Sequence, residues 1–216
     1  MSIKKKLNTS LNKLAQVFEE DPKACEAVDY LVKALKDWDE PKVDKKSIEL
    51  SLPTEIKDSD DYALFSDGAC RGNPGPGSWA AIGQDQGAGV LFESSGVEFQ
   101  TTNNRMELIG AIEALKSLER FLDECGKVAD QAKVHLYTDS KLIVDAMGSW
   151  MAGWKRNGWK KSGGKPIINV ELWRELDELS EHFKKSQFHW VKGHAGHPQN
   201  ERCDGLANEA LDEAGY

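Results

Sequence analysis

No stretch of this 216-residue chain approaches 18 consecutive apolar residues, so a membrane-spanning helix is not expected. The basic opening MSIKKKLNTSLNKL is followed by neither an apolar run nor a small-residue cleavage site, which argues against a secretory leader. Cysteine is sparse: positions 25, 70, 125 and 203 form no CxxC pair. Neither a disulfide framework nor a zinc site is expected, and the thiols read as those of a reduced, cytoplasmic protein. Positive charge is also short. Lys and Arg number 28 against 36 Asp and Glu, a net charge of −8, which is a poor balance for a general nucleic-acid coat. That deficit is not uniform, because WMAGWKRNGWKKSGGK, residues 150–165, carries five basic residues, three tryptophans and no acid.

What is present reads as a globular α/β chain, with 39% hydrophobic and 30% charged residues. Residues 1–40 read as a helical extension of two short helices, one with Leu11, Leu14, Ala15 and Phe18 on a face, the other with Val28, Leu31, Val32 and Leu35. Asp21 and Pro22 divide them. Residues 41–60, polar and ending in KDSD, read as a linker. From residue 61 to 216 the pattern changes. YALFSD, SWAAIGQ and GVLFESS with GVEFQ read as antiparallel strands, GNPGPGS as a turn, and a helix of about 20 residues starts near Arg105. Its apolar stripe uses Leu108, Ala111, Ile112, Leu115, Leu118 and Leu122. VHLYTDS is a strand and SKLIVDAM a short helix. Asn169 is expected to cap VELWRELDELSEHF, QFHWVK is another strand, and Asn200 is expected to precede the last helix. This order predicts a mixed sheet of five strands flanked by helices.

Four carboxylates stand at element ends: Asp67 and Asp139 close strands, while Glu107 and Asp204 sit in the early turns of helices. Helical spacing sets Glu107 with Ala111 and Ala114, and Asp204 with Ala207 and Leu211, so both are expected to face packed surroundings. Taken singly, each carboxylate could cap its element. Were all four to converge, like charges would raise one another's pKa values, and a hard divalent cation would relieve them. Oxygen ligands favour Mg²⁺ or Mn²⁺, and a pair of such ions about 3.5–4 Å apart suits phosphodiester displacement. His194 and His197 lie in KGHAGHP, either as ordinary turn residues or as proton carriers beside a hydrolytic site. HAGH is too close for the HExxH zinc arrangement.

DGACRGNPGPG at 67–77, TTNNRMEL at 101–108, TDS at 138–140 and WVKGHAGHPQNERCD at 190–204 closely resemble, in order, the motifs of bacterial type 1 ribonuclease H. The similarity spans roughly residues 61–214 and leaves the first 60 outside. It implies the ribonuclease H-like fold and endonucleolytic hydrolysis of the RNA strand of an RNA–DNA hybrid by two-metal-ion catalysis, leaving 5′-phosphate and 3′-hydroxyl ends. The family's metal carboxylates match Asp67, Glu107, Asp139 and Asp204, and its mobile catalytic histidine matches His194. The first aspartate of the family bridges two Mg²⁺ ions, with Mn²⁺ a possible substitute. Glu107 and Asp139 would complete one site and Asp204 would serve the other. His197 matches a residue whose role there is structural.

The resemblance also implies the hybrid contacts. Asn73, Asn104 and the backbone around Cys70 match positions that meet the minor groove or the 2′-hydroxyls, which is where RNA differs from DNA. Asn103 and Arg105 would support this region, and Thr102 would belong to a phosphate pocket for the DNA strand. Each amide also suits an ordinary turn or cap. Trp150, Trp154, Lys155, Arg156, Trp159, Lys160 and Lys161 resemble a basic protrusion that follows the DNA backbone, although tryptophans at this spacing also suit a core. Lys141 departs from the family, whose well-studied bacterial members carry glutamine there. Residues 1–60 lack the aromatic and glycine pattern of the hybrid-binding domain found in some branches. Their apolar faces suit cover for a patch, modulation of the groove, a protein partner or self-association, and the extension is expected to be dispensable for chemistry.

Overall fold

The computed structural model describes residues 7, 10, 11, 14, 15, 17, 18, 21–38, 51–161, 163–193 and 195–216. The chain divides into two compact units, Met1–Ser47 and Ile48–Tyr216. In the first unit, helix α1 (Pro22–Asp37) starts where Asp21 Oδ1 accepts the backbone N–H groups of Lys23 and Ala24, with Pro22 in the first turn. Val28 is buried, whereas Leu31, expected on the same face, is exposed. Among the described residues no helix is long and apolar enough to cross a membrane.

The second unit is built on a five-stranded sheet ordered β3-β2-β1-β4-β5, from β1 (Asp61–Cys70), β2 (Gly75–Gln84), β3 (Val90–Thr101), β4 (Lys133–Thr138) and β5 (Lys185–Trp190). β1 pairs antiparallel with β2 and parallel with β4, and β4 pairs parallel with β5. The expected mixed sheet is therefore present. β1 is central and has helices on both faces, so it is a nearly unbroken buried run rather than an alternating one.

GVLFESS and GVEFQ are one strand, β3, and not two. Gly96 does not break it. It sits opposite Trp79 of β2, and a Cβ there would meet the indole at 2.8 Å, so the missing side chain makes room for the ring.

Helix α2 (Asn103–Glu124) lies on one face with all six expected stripe residues buried. Its approach to β1 is close: a Cβ on Gly68 would meet the Glu107 backbone nitrogen at 2.3 Å, and one on Gly110 would meet the Asp67 carbonyl oxygen at 2.9 Å. Two glycines thus let helix and strand touch backbone to backbone.

After β4 come α3 (Lys141–Asp145), a wider π-helical turn (Ala146–Trp150) and α4 (Met151–Arg156). Helix α5 (Val170–Glu181) turns Leu172, Leu176 and Leu179 inward. Asn169 holds the cap position, but in a left-handed conformation whose side chain caps nothing. Its carbonyl accepts from Leu172 and Trp173 instead. The last helix, α6 (Pro198–Glu213), starts two residues before Asn200, because Pro198 fits the first turn, where a missing N–H costs nothing, and His197 takes the cap position. It covers the opposite face, where Cys203 and Ala207 join Phe65, Ala80, Ile82 and Tyr137 in a second core.

Candidate active site

Parallel pairing aligns the first two carboxylates. The β1–β4 register runs to Phe65 opposite Tyr137, and two more residues bring Asp67 level with Asp139, just past the carboxyl end of β4, on neighbouring strands about 4.8 Å apart. Asp67 does not close β1 as expected, because pairing with β2 carries that strand on to Cys70. The crevice beyond the carboxyl ends of parallel strands is where open α/β sheets bind ligands, and β1 and β4 are such a pair. Glu107 arrives from α2 through the Gly68 contact, and Asp204 arrives one residue after the buried Cys203 of α6. Asp67 is 9% exposed, and the other three are half-buried.

The four are electrostatically joined. Asp67 is pushed from 3.8 up to about 7, by burial first and then by the charges of Asp139, Asp204 and Glu107, against the pull of the Gly68 N–H on Asp67 Oδ1. Glu107 is also raised, by burial and then by Asp139, while Ser140 and Asn103 oppose the rise. Ser140 Oγ donates to Glu107 Oε2 and Asn103 Nδ2 to Glu107 Oε1, each at 2.6 Å. Asp204 Oδ1 accepts from Asn208 Nδ2 at 3.0 Å. A Cβ on Gly193 would meet Asp139 Oδ2 at 2.4 Å, so that loop position leaves room for the carboxylate.

Four hard oxygen donors whose charges act on one another form a donor set that suits divalent cations. Among the described residues no three of them offer oxygens that all lie within 4.8 Å of one another, so an ion shared by three would draw them inward. The trio that does meet this spacing is Asp58, Asp60 and Asp61, but it already holds a cation. Lys133 Nζ lies 3.0, 3.5 and 3.5 Å from their oxygens. Burial pushes the Asp61 carboxyl up, but the N–H groups of Asp58 and Lys57 together with Lys133 outweigh it and hold the pKa low.

His194 lies outside the described residues. His197 packs its ring 5.7 Å from Phe65, and burial lowers its pKa. Asn73 Oδ1 accepts the Asn103 N–H, which ties the β1–β2 turn to α2. Cys70 Sγ points at the carbonyls of Gly72, Gly75 and Thr101. Thr102 holds the α2 cap position without a side-chain cap bond. Arg105 is engaged by Glu98 and Glu171 at 3.0 and 2.8 Å. Lys155 is likewise held by Asp177 and Glu181 at 2.6 and 2.8 Å, whereas Arg156, Lys160 and Lys161 have no carboxylate within 4.0 Å among the described residues. Trp154 packs edge-on against Trp173, and Trp150 is 41% exposed. With Asn104, Leu142 and Lys161 these tryptophans line a cavity of about 450 Å³. Lys141 Nζ stands 4.6 Å over the ring of Trp190, whose Nε1 donates to the Asp139 carbonyl. Sequence reasoning missed Ser140 and Trp190. Ser140 was signalled by its place beside Asp139, but nothing local marks it as a partner of Glu107, 33 positions away.

The sequence matches the RNase H family model over residues 59–212. The chain belongs to the ribonuclease H family. Its relatives place it with the bacterial type 1 enzymes. It is 48% identical over 149 residues to ribonuclease H of Rhizobium meliloti (strain 1021), covering 69% of this chain and 89% of that one. To ribonuclease H of Mesorhizobium japonicum it is 49% identical over 148 residues, covering 68% and 76%. The fold is similar to that of LC11-RNase H1 solved with an RNA/DNA hybrid, at 29% identity and TM-score 0.56, covering 71% of this chain and 98% of that one. LC9-RNase H1, a type 1 RNase H with the type 2 active-site motif, is similar at 32% identity and TM-score 0.59, covering 73% and 74%. The chain is accordingly an endoribonuclease of the ribonuclease H class.

Proposed function

We propose that this ribonuclease H cuts the RNA strand of RNA–DNA hybrids endonucleolytically, leaving 5′-phosphate and 3′-hydroxyl ends, with Asp67, Glu107, Asp139 and Asp204 holding two Mg²⁺ ions that Mn²⁺ can replace. The observation that carries this reading is the coupling of Asp67 to the other three carboxylates, which leaves one buried acid unable to ionise at its ordinary pH. When bound, the ions supply a water-derived nucleophile at neutral pH and charge compensation at the leaving oxygen. The residues of the chain do the positioning. Asn103 and Ser140 clamp both oxygens of Glu107, and the Gly68 N–H orients Asp67. By the family resemblance His194 takes up and releases protons during the reaction, a role that imidazole as a residue type suits near neutral pH.

Asn73, Asn104 and the backbone at Cys70 read the RNA sugar edge, and Thr102 receives a phosphate of the DNA strand. Arg156, Lys160 and Lys161, without a carboxylate partner among the described residues, attract its backbone beside Trp150 and Trp154, with Lys155 and Arg105 bracing the fold through their ion pairs. Lys141 adds a phosphate contact close to Asp139. The working compartment is the cytoplasm, consistent with four free cysteines. We further propose that residues 1–40 are an accessory helical element.

The test is cleavage of end-labelled hybrid with and without Mg²⁺, alongside RNA–RNA and DNA–DNA duplexes and Asp67→Asn. Hybrid alone is cut, only with the ion, and D67N binds hybrid without cutting it. Equal cutting of all three duplexes refutes the substrate assignment.

A further inference from the structure

Residues 51–57 precede the segment that matches the family and belong to the same compact unit as the sheet. They read as linker, yet Ile56 is 8% exposed and is part of the second core with Phe65, Tyr137, Cys203 and Ala207, and Leu52 packs against that core. The polar contacts are as specific. Gln199, in the first turn of α6 and 1% exposed, donates through Nε2 to the Ser51 carbonyl at 2.8 Å and to Gln84 Oε1 at 3.0 Å. Tyr137 Oη donates to Glu55 Oε2 at 3.0 Å, and its ring is stacked between Phe65 and His189 at 5.1 and 4.7 Å. Gln86 Nε2 donates to the Lys57 carbonyl.

Glu55 and Lys57 fasten the segment to β4 and to the β2–β3 turn, while Ser51 and Ile56 meet α6, through Gln199 and through the core shared with Cys203 and Ala207. Gln199, Cys203 and Ala207 are spaced by four and form the buried stripe of α6. Asp204 is the next residue after Cys203, so its carboxylate is set about 100° round the helix from the stripe, and the seating of the stripe fixes where it points. A strap that left the face would leave the buried Gln199 amide short of an acceptor and remove Ile56 from beside Cys203. The helix could then roll, and misplacement of a catalytic group by about 1 Å can cost about 100-fold in rate.

We propose that residues 51–57 are a positioning strap, with Ile56 and Gln199 as the positioning residues, which seats α6 and thereby aims Asp204 at the other three carboxylates. The inference rests on the assignment of Asp204 made above, and the experiment separates the two. In the full-length chain, Leu52→Ala/Ile56→Ala and, separately, Gln199→Met, which keeps the shape and removes the donors, are compared with Leu179→Ala, a core truncation on α5. Amide hydrogen exchange of residues 198–206 without divalent ions is read beside hybrid kinetics. Both strap variants are expected to speed exchange there at least tenfold over the Leu179→Ala protein. They should also lower kcat about tenfold or more while KM stays within twofold. If exchange in 198–206 and kcat change no more than in Leu179→Ala, the strap only stabilises and the proposal is overturned. If the parent cuts no hybrid, the functional reading fails while the exchange arm still decides the strap.

Discussion

Replacing Asp67 by asparagine should make the ion-free protein more stable, and the gain should depend on pH. Asp67 has an ordinary value of 3.8 and is raised to about 7 in the fold. A group raised in this way contributes stability that is fully present below about 3.8 and is lost as pH climbs to about 7, because the unfolded chain ionises first. At 1.36 kcal/mol for each tenfold difference in proton affinity, the full loss is about 4 kcal/mol above pH 7 and about 1.6 kcal/mol at pH 5. The substituted amide would be neutral throughout and could still accept the Gly68 N–H. The stability advantage of the variant should therefore widen by about 2.5 kcal/mol between pH 5 and pH 8.

The assay is urea denaturation in chelator at both pH values, followed by tryptophan fluorescence. Six of the seven tryptophans, at positions 79, 150, 154, 159, 173 and 190, lie in the catalytic unit, so the signal reports that unit rather than α1. Mg²⁺ should narrow the gap by stabilising the parent, as any ligand of the native state does. A gap that stays constant from pH 5 to pH 8, or a variant less stable than the parent at pH 8, would refute the reasoning that Asp67 is destabilised by its neighbours.

Ser140→Ala removes one of the two short hydrogen bonds that clamp Glu107. A bond to a charged group contributes about 1.5 kcal/mol or more, so kcat on hybrid should fall roughly tenfold with little change in melting temperature. An unchanged kcat would show that Asn103 alone is sufficient. Gly68→Ala drives a methyl into the α2 backbone at 2.3 Å from the Glu107 nitrogen. It should cost at least the ~3 kcal/mol typical of severe overpacking, read by urea denaturation, and abolish cleavage. His135 Nδ1 and His189 Nε2 lie 3.1 Å apart, and burial lowers both pKa values, with the His189 charge also lowering His135. Stability from this pair is present above about pH 6.5 and declines as pH falls below it, so His189→Gln should flatten the parental urea-midpoint curve on the acid side of about pH 6.5.

Glu107, Asp139 and Asp204 stood out because each sits where local pattern changes, whereas Asp67, read as a strand end, lies inside β1; the chemistry of four converging acids narrows to few outcomes. What brings them together was not legible. Gly68 and Gly110 look like any small residues until α2 is laid on β1, and only then does the missing Cβ of Gly68 explain how Glu107 reaches Asp67. The same limit explains the misread strand. Gly96 resembles a connection in sequence, whereas across the ladder it is the space Trp79 occupies. Charge was legible as composition but not as pairing. Lys155 counts as a free cation in WMAGWKRNGWKK until Asp177 and Glu181, more than 20 positions away, take it up.

The linker reading of residues 51–60 failed for a related reason, and it shows how the site is held. LPTEIK has isolated apolar residues without periodicity, so it carries no helix or strand signal. Ile56 and Leu52 are nonetheless buried or packed, because they meet the second core that the sheet forms with Cys203 and Ala207 of α6. Three of the four carboxylates are fixed from within the core, Asp67 and Asp139 by strand register and Glu107 by a backbone contact with β1. Asp204 differs. Its helix crosses the other face, and its first turn is fastened by Gln199 to a segment that local sequence rules treat as filler. A site of like charges repels itself, so its least firmly seated wall is the one that moves first. By this reasoning the stability of α6, more than that of the sheet, sets how well the four acids stay aligned.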